Sequence, residues 1–444
     1  THLRLRSTFM FKIIVVVPLA LACATPSRAR KTPSPTAAEA VVTDAPPPGP
    51  LDGSLPSYLR RALAASPTAE AARHRLQAAR NAAVSTGTFP EPTIAYGFFA
   101  SAIETRVGPQ RHRIQLRQPL PWPGTLSAQD EAARLTSSAA AFSSQATTLE
   151  VGYQVRVLYW QLWLRRELQS IHRQHLALLE GLGASVRTQL EVGKATLAEA
   201  SQIDLRISRL KDSIERLATE ERRLIAALLA ACAQPPGDAP TTQAPSLRKP
   251  LELSAVAERG GADPRERAAV ERSKAAEKRA EAARLAGRPK LVVGADFIEV
   301  GPREGVGDSG KDAFVVSVGL SLPLFRDRYN GAENQSRAEA RAHRALARQR
   351  SLARRAEITA ALESIRDTYR RAELHQSTLL PQAETVYQAS LGQYRTGRTP
   401  FANLLLAEQD LVELRIAVAE IRNQHELAWA RLTWALSRPH GGPR

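Results

Sequence analysis

Gln189-Leu190-Glu191-Val192-Gly193-Lys194-Ala195-Thr196-Leu197 and Gln393-Tyr394-Arg395-Thr396-Gly397-Arg398-Thr399-Pro400-Phe401 are one phrase written twice. Each closes a helix at a glycine and is followed by a returning helix. A phrase that recurs at a separation of about 200 residues points to internal duplication, so the elements around each copy should match.

They do. Ahead of the first phrase the pattern reads as a helix over about 55–86, then Phe89-Pro90-Glu91-Pro92, a strand near 93–100, a turn, and a strand over 112–120. The second half repeats the order with a helix over 251–286, Arg288-Pro289-Lys290, a strand over 291–300, a turn, and a strand over 313–323. The second strand of each pair ends alike, at Gln118-Pro119-Leu120-Pro121 and at Leu320-Ser321-Leu322-Pro323. Each pair then leads into a very long helix, about 126–191 and 331–396, which at ~1.5 Å per residue spans roughly 100 Å. That exceeds anything a compact domain uses. The returning helices cover about 197–232 and 400–437. Leu135, Phe142 and Leu149 recur every seven residues, as do Ala139, Ala146, Tyr153 and Trp160, the spacing of a coiled-coil seam. Tyr153, Trp160 and Trp163 are read as core and assigned no ligand.

The strands alternate. Ile114, Leu116 and Leu120 share one parity, and Arg113, Gln115 and Arg117 the other; Phe314, Val316, Val318, Leu320 and Leu322 stand opposite Ser317, Gly319 and Ser321. Asp296 falls on the polar parity of its strand. About ten residues, apolar on one side and polar on the other, suit a transmembrane β-strand with lipid outside and water inside, and equally a half-buried soluble sheet. Closure favours the first: four strands cannot enclose a lumen, whereas three chains give twelve and remove every edge. Tyr96, Phe98 and Phe99 are read either as an interfacial aromatic girdle or as plain strand formers.

The rest of the chain bounds the setting. Met10-Phe11-Lys12, the apolar run Ile13–Leu21 and the small residues at Ala22-Cys23-Ala24 read as a secretory signal, with residues 1–9 upstream of the start. Ala20-Leu21-Ala22-Cys23 resembles a lipoprotein cleavage box, so Cys23 is a lipidation candidate beside simple cleavage near Ala24. The organisation is then upstream residues and signal over 1–24, a Pro/Ala-rich tether over 25–53, a first repeat over 54–232, a Pro-rich linker over 233–250, a second repeat over 251–437 and a disordered tail over 438–444. No later stretch has the roughly 18 consecutive apolar residues of a membrane helix.

The formal charge is +17, but the arginines alternate with glutamates along helices instead of gathering in one patch, so solvated helix faces are favoured over a nucleic-acid site. No phosphate loop, nucleophile triad or paired CxxC motif occurs, and no enzymatic role or cofactor is expected. Of nine histidines only His172 and His175 lie close together, with no ligand set around them; the one methionine, Met10, excludes a thioether relay for soft metals. Cys232 is read as an inert, partly buried thiol.

Over residues 54–437 this duplicated order, with Gln118-Pro119-Leu120-Pro121-Trp122-Pro123-Gly124, Leu320-Ser321-Leu322-Pro323-Leu324-Phe325 and the two glycine turns, resembles the TolC family of outer-membrane efflux factors. Its branch looks most like the cobalt–zinc–cadmium (CzcC-like) subunits. The resemblance implies a mainly α fold with transmembrane β, in which long coiled-coil helices form a periplasmic barrel and four strands per chain complete a twelve-stranded barrel in a homotrimer. It implies a passive exit duct in the outer membrane of a Gram-negative bacterium, joined by a periplasmic adaptor (membrane fusion) protein to an inner-membrane pump of the RND type, with heavy-metal cations as one cargo. Val192, Gly193, Lys194, Thr396, Gly397 and Arg398 would form the adaptor-docking tip; Glu199 and Asn403, six residues past each glycine, the periplasmic gate; and Arg113, Gln115, Arg117, Asp296, Ser317 and Ser321 the barrel lumen. A periplasmic coiled-coil adaptor or scaffold is the competing reading, and it predicts no paired amphipathic strands.

Overall fold

A computed structural model describes residues 51–235, 240–251, 262–305, 307 and 309–437. The signal, Cys23, most of the tether, residues 252–261 of the expected second-repeat helix and the tail lie outside the described residues.

The first repeat opens with α1 (Leu55–Ala65) and α2 (Pro67–Ser85). Sequence periodicity read them as one helix. Pro67 has no N–H to continue the ladder, and Ser66 leaves the helical region (φ −63°, ψ 120°), its hydroxyl accepting from the Ala69 amide to start α2. Strands β1 (Thr93–Thr105) and β2 (Gly108–Leu120) follow, longer than alternation alone indicated and joined across Arg106-Val107. Then come α3 (Thr125–Glu191), 67 residues without a break, and α4 (Leu197–Ala231). The second repeat holds α5 (Pro264–Ala286), β3 (Lys290–Val300), β4 (Ala313–Ser321), α6 (Arg326–Leu374), α7 (Leu380–Arg395) and α8 (Phe401–Ala435). One π-helical turn, His375–Leu379, joins α6 to α7. Pro381 accounts for it: its ring would press on the carbonyl four residues back, and widening the helix relieves that contact.

The four strands form one antiparallel sheet in the order β1-β2-β3-β4, so β1 and β4 are both edges. Away from the sheet, α2 and α5 pack along α3, and α5 along α6; further from the sheet α4 and α8 take their places. At either level, then, two long helices run beside two shorter ones, which is why one 67-residue helix is covered along most of its length.

The core is correspondingly strung out. One cluster joins α1, α3 and α4 through Tyr58, Val155, Tyr159, Leu162, Trp163 and Leu228. Another gathers Leu179, Ile203, Ile207, Tyr387, Phe401 and Leu404 near the glycine turns. Trp160 and Trp163 lie in the first cluster edge to face, the core role expected of them, and Tyr153 stacks at a tilt on Trp434. Cys232 is fully buried beneath Tyr58, and burial raises its thiol pKa to about 11, which keeps it an unreactive thiol.

The Pro-rich segment between the repeats is not a free linker over its described part. The Tyr58 hydroxyl donates to the Thr241 carbonyl at 3.0 Å, Arg166 donates to the Pro240 carbonyl, and the Gln243 amide donates to the Tyr159 hydroxyl at 2.8 Å. Proline removes helix and strand as options but leaves carbonyls free to accept, and Tyr58 and Arg166 use two of them.

Candidate functional site

The sheet sorts its side chains cleanly. In antiparallel pairing, residues directly opposite share a face. The register pairs Gln115 with Asp296 and Asp296 with Val315, Arg117 with Gly294 and Gly294 with Ser317, and Lys290 with Ser321. All six residues expected on the polar side therefore fall on one face: Arg113, Gln115, Arg117, Asp296, Ser317 and Ser321. Lys290 joins them, a residue sequence reading passed over although its parity matches Asp296. On that face Arg113 donates from Nε and Nη2 to Oδ1 of Asp296 at 3.0 and 2.7 Å. A Cβ at Gly294 would meet Ser317 Oγ at 2.6 Å, so glycine leaves room for the serine and for the neighbouring Arg117 stem.

The other face is apolar and open. Ile94 is 72% exposed, Phe98 63%, Val316 66% and Val318 72%. A row of large apolar groups this exposed on both edge strands demands a nonaqueous neighbour. Along this face, before the register shift in the β1–β2 pairing, Tyr96 and His112 share a hydrogen bond at 2.7 Å and their rings stack. Pro121 to Gly124 then end β2, with Gly124 at φ +87°, where only glycine is unstrained, turning the chain into α3.

At the opposite end of the long helices the two glycine phrases lie together. Gly193 has φ +69° and Gly397 φ +70°. Lys194 N–H donates to the Gln189 carbonyl at 2.7 Å and Gly193 N–H to the Leu190 carbonyl at 3.0 Å; Arg398 to Gln393 and Gly397 to Tyr394 repeat the pattern at 2.9 and 2.9 Å. Both are Schellman caps, closing the helix with a left-handed glycine. Val192 is 64% exposed and the turn residues Lys194, Thr396 and Arg398 border it on an open surface.

The two copies differ in how the returning helix starts. Thr196 and Glu199 form a capping box: the Thr196 amide donates to Glu199 Oε2 at 2.7 Å, and the Glu199 amide to Thr196 Oγ1 at 3.2 Å. In the second copy Pro400 caps without a side chain, and Asn403 donates to Thr399 Oγ1 at 3.2 Å. Glu199 is thus held against its own helix end. Its charge, after burial, is the second influence raising the pKa of Tyr394 from the other copy.

His175 contacts the fully buried Glu408 on α8, and burial first, then the neighbouring His175, lowers the His172 pKa. Among the described residues no three His, Cys, Asp or Glu side chains group as ligands. Sequence reading also missed a buried hub on α8: His425 holds Thr368 Oγ1 through Nδ1 at 3.0 Å and faces both the Arg248 carbonyl and the Trp429 indole with Nε2, while Arg248 pairs with Glu426.

A sequence model of the family described as "Outer membrane efflux protein" matches residues 263–438. No curated protein sequence matches the chain. Among solved structures, the outer membrane protein VceC from Vibrio cholerae aligns at 19% identity with a TM-score of 0.72, covering 86% of this chain and 96% of that one. The Campylobacter jejuni CmeC outer membrane channel aligns at 14% identity and TM-score 0.72, covering 86% and 85%. The open state of the Neisseria gonorrhoeae MtrE outer membrane channel aligns at 18% identity and TM-score 0.68, covering 86% and 88%. The fold is therefore the TolC-like one, with long helices for a helical barrel and four strands beside them.

Proposed function

We propose that this chain is the outer-membrane duct of a tripartite efflux system, a passive exit for solutes delivered by an inner-membrane pump through a periplasmic adaptor, with no catalytic step of its own. The carrying observation is the four-stranded sheet whose apolar face is exposed from edge to edge while its polar face holds Arg113, Arg117 and Asp296. No described helix is long and apolar enough to cross a membrane, so the strands are the membrane element. Two unpaired edges call for neighbours, and three copies of four strands close a twelve-stranded wall around a wet lumen. The family match over 263–438 and the shared fold of the three outer-membrane proteins support the same reading.

The helices supply the periplasmic length: 67 residues at ~1.5 Å reach ~100 Å from the membrane. The paired glycine turns at their far end form the tip on which the adaptor docks, with Glu199 and Asn403 just behind it as an asymmetric gate. The pump is of the RND type in this scheme. Heavy-metal cargo rests on the cobalt–zinc–cadmium resemblance alone. A periplasmic scaffold is disfavoured, since a sheet with so large an apolar face has no use in water.

Cell fractionation with unboiled gels tests the assignment. A heat-labile trimer in the outer-membrane fraction is expected; recovery as a soluble periplasmic monomer would overturn it.

A further inference from the structure

The wall of the duct has a sign. Between the register shifts that break the β1–β2 and β2–β3 ladders and the helix ends, the polar face carries Thr93, Ala95 and Gly97 from β1; Arg113, Gln115, Arg117 and Pro119 from β2; Lys290, Val292, Gly294, Asp296 and Ile298 from β3; and Ala313, Val315, Ser317, Gly319 and Ser321 from β4, as the register sets them opposite one another. The ionisable residues among these positions are Arg113, Arg117, Lys290 and Asp296. Asp296 is committed to Arg113 through two hydrogen bonds to a single carboxylate oxygen. Three cations against one acid leave these positions with a net charge of +2 per chain, although Arg117 also acts on Asp296 through its charge and Glu91, just ahead of β1, lines the same hollow as Lys290; both cationic side chains are exposed. Lys290 stands opposite Ser321 at the helix end of the sheet, with Arg117 two pleat repeats further in, about 13 Å along the strand, opposite Gly294.

We infer that the barrel lumen is an anion-preferring filter, and that the solutes this duct passes most readily are anionic or neutral, not metal cations. The inference rests on the duct reading above. Threefold closure turns Arg117 and Lys290 into two stacked cationic rings. With a screening length of about 10 Å at 0.1 M salt, such rings act on ions that pass within that distance of the wall. Rings of Arg or Lys are the ordinary device by which a pore admits anions and raises a barrier to cations. A free divalent cation would meet this barrier at full strength, since its repulsion scales with its charge.

The test is the zero-current potential of the purified trimer in planar lipid bilayers under a tenfold KCl gradient. A chloride-to-potassium permeability ratio above one is expected, falling by about twofold or more in the R117Q/K290Q double variant, whose heat-labile trimer on unboiled gels shows that it is folded. D296N, which removes the one acid, should move the ratio the other way. Preference should also weaken as bulk KCl rises, as wall charges become screened. A cation-selective native pore, or a ratio unmoved by R117Q/K290Q, overturns the inference while leaving the duct intact. A folded trimer that conducts nothing even with the tip loosened by G193A/G397A overturns the duct reading itself.

Discussion

The Tyr394 hydroxyl donates a hydrogen bond to Oε1 of Gln189 at 3.1 Å, joining the two copies of the duplicated turn across 205 residues of sequence. Tyr394 also packs its ring on Phe401, 5.4 Å between centroids, at the start of α8. One side chain therefore ties the end of α7 to the end of α3 and to its own returning helix. Opening of the tip proposed above would have to break or move this contact.

Tyr394→Phe keeps the ring and removes the bond. A part-buried neutral hydrogen bond contributes about 1 kcal/mol, so the variant should melt only slightly earlier but show a roughly fivefold higher fraction of open time in bilayer recordings. Pairing it with Gln189→Ala in a double-mutant cycle separates this bond from general loosening: the second change should add little once the first is present.

Gly193→Ala and Gly397→Ala probe the caps by backbone strain alone. A Cβ at either position meets nothing within 4 Å, so there is no clash to confuse the result. The cost is the left-handed φ, about 1–2 kcal/mol each. Thermal unfolding should fall accordingly, and hydrogen exchange should quicken in Gln189–Lys194 or Gln393–Arg398 alone. Asn, which tolerates this region, should restore much of the loss at either site.

Acid should weaken the protein in a window set by His425. Burial, partly offset by the Arg248 carbonyl, drops its pKa to about 4, well below the ordinary imidazole value. A base with a lowered folded pKa binds its proton more readily when unfolded. Its stabilisation is therefore complete above about pH 6.5 and lost as pH falls towards 4, amounting to about 3 kcal/mol. His425→Gln should flatten that part of a stability-against-pH curve measured by denaturant unfolding.

How far the sequence could be read follows from what periodicity encodes. Parity along a strand sorted Arg113, Arg117, Asp296, Ser317 and Ser321 onto one face because a two-residue repeat is local, and the recurrent glycine phrase announced two matching helix ends. Neither signal names partners. That Gln189 meets Tyr394, or that Arg248 reaches Glu426 and the carbonyl of Arg248 reaches His425, depends on how helices far apart in sequence are laid side by side. The split at Ser66-Pro67 was missed because apolar spacing continues across it; the proline was the available sign. Thr196 and Glu199, three apart at a helix start, carried a capping-box signature that a search for gates passed over.

Asp263 is the acid of a buried cationic knot that composition hid among scattered arginines. It is 1% exposed, caps α5, and receives Arg265 at 3.0 Å, Arg350 at 3.4 Å and Arg354 at 3.8 Å. Burial pushes its carboxyl upward, yet hydrogen bonds and charge from Arg265, with the charge of Arg350, hold it below the usual range. Its contribution is thus present above ordinary carboxylate pKa and lost as pH falls beneath it. Asp263→Asn removes the acid that the three guanidinium groups share, leaving Glu357 beside Arg265 and Arg350 and Glu266 beside Arg354, and should cost about 1–3 kcal/mol in denaturant unfolding at pH 7. Asp263→Glu, retaining charge at the wrong reach, should recover part of that.

The assignment of faces is most sharply tested at Val315 and Val316, adjacent residues of the same type on opposite sides of β4. Val316 is 66% exposed on the apolar face, whereas Val315 is paired across the strands with Asp296 on the polar one. Val316→Arg would place a guanidinium in hydrocarbon near mid-strand, costing about 2–4 kcal/mol per chain. In a trimer that penalty is met three times, so assembly should fail. Val315→Arg would set its guanidinium beside a carboxylate in a wet lumen, where charge is tolerated. The yield of heat-labile trimer in outer-membrane fractions should collapse for the first and stay near the native level for the second. Equal yields would mean the apolar face does not meet lipid, because hydrocarbon cannot take up an unpaired guanidinium as water does.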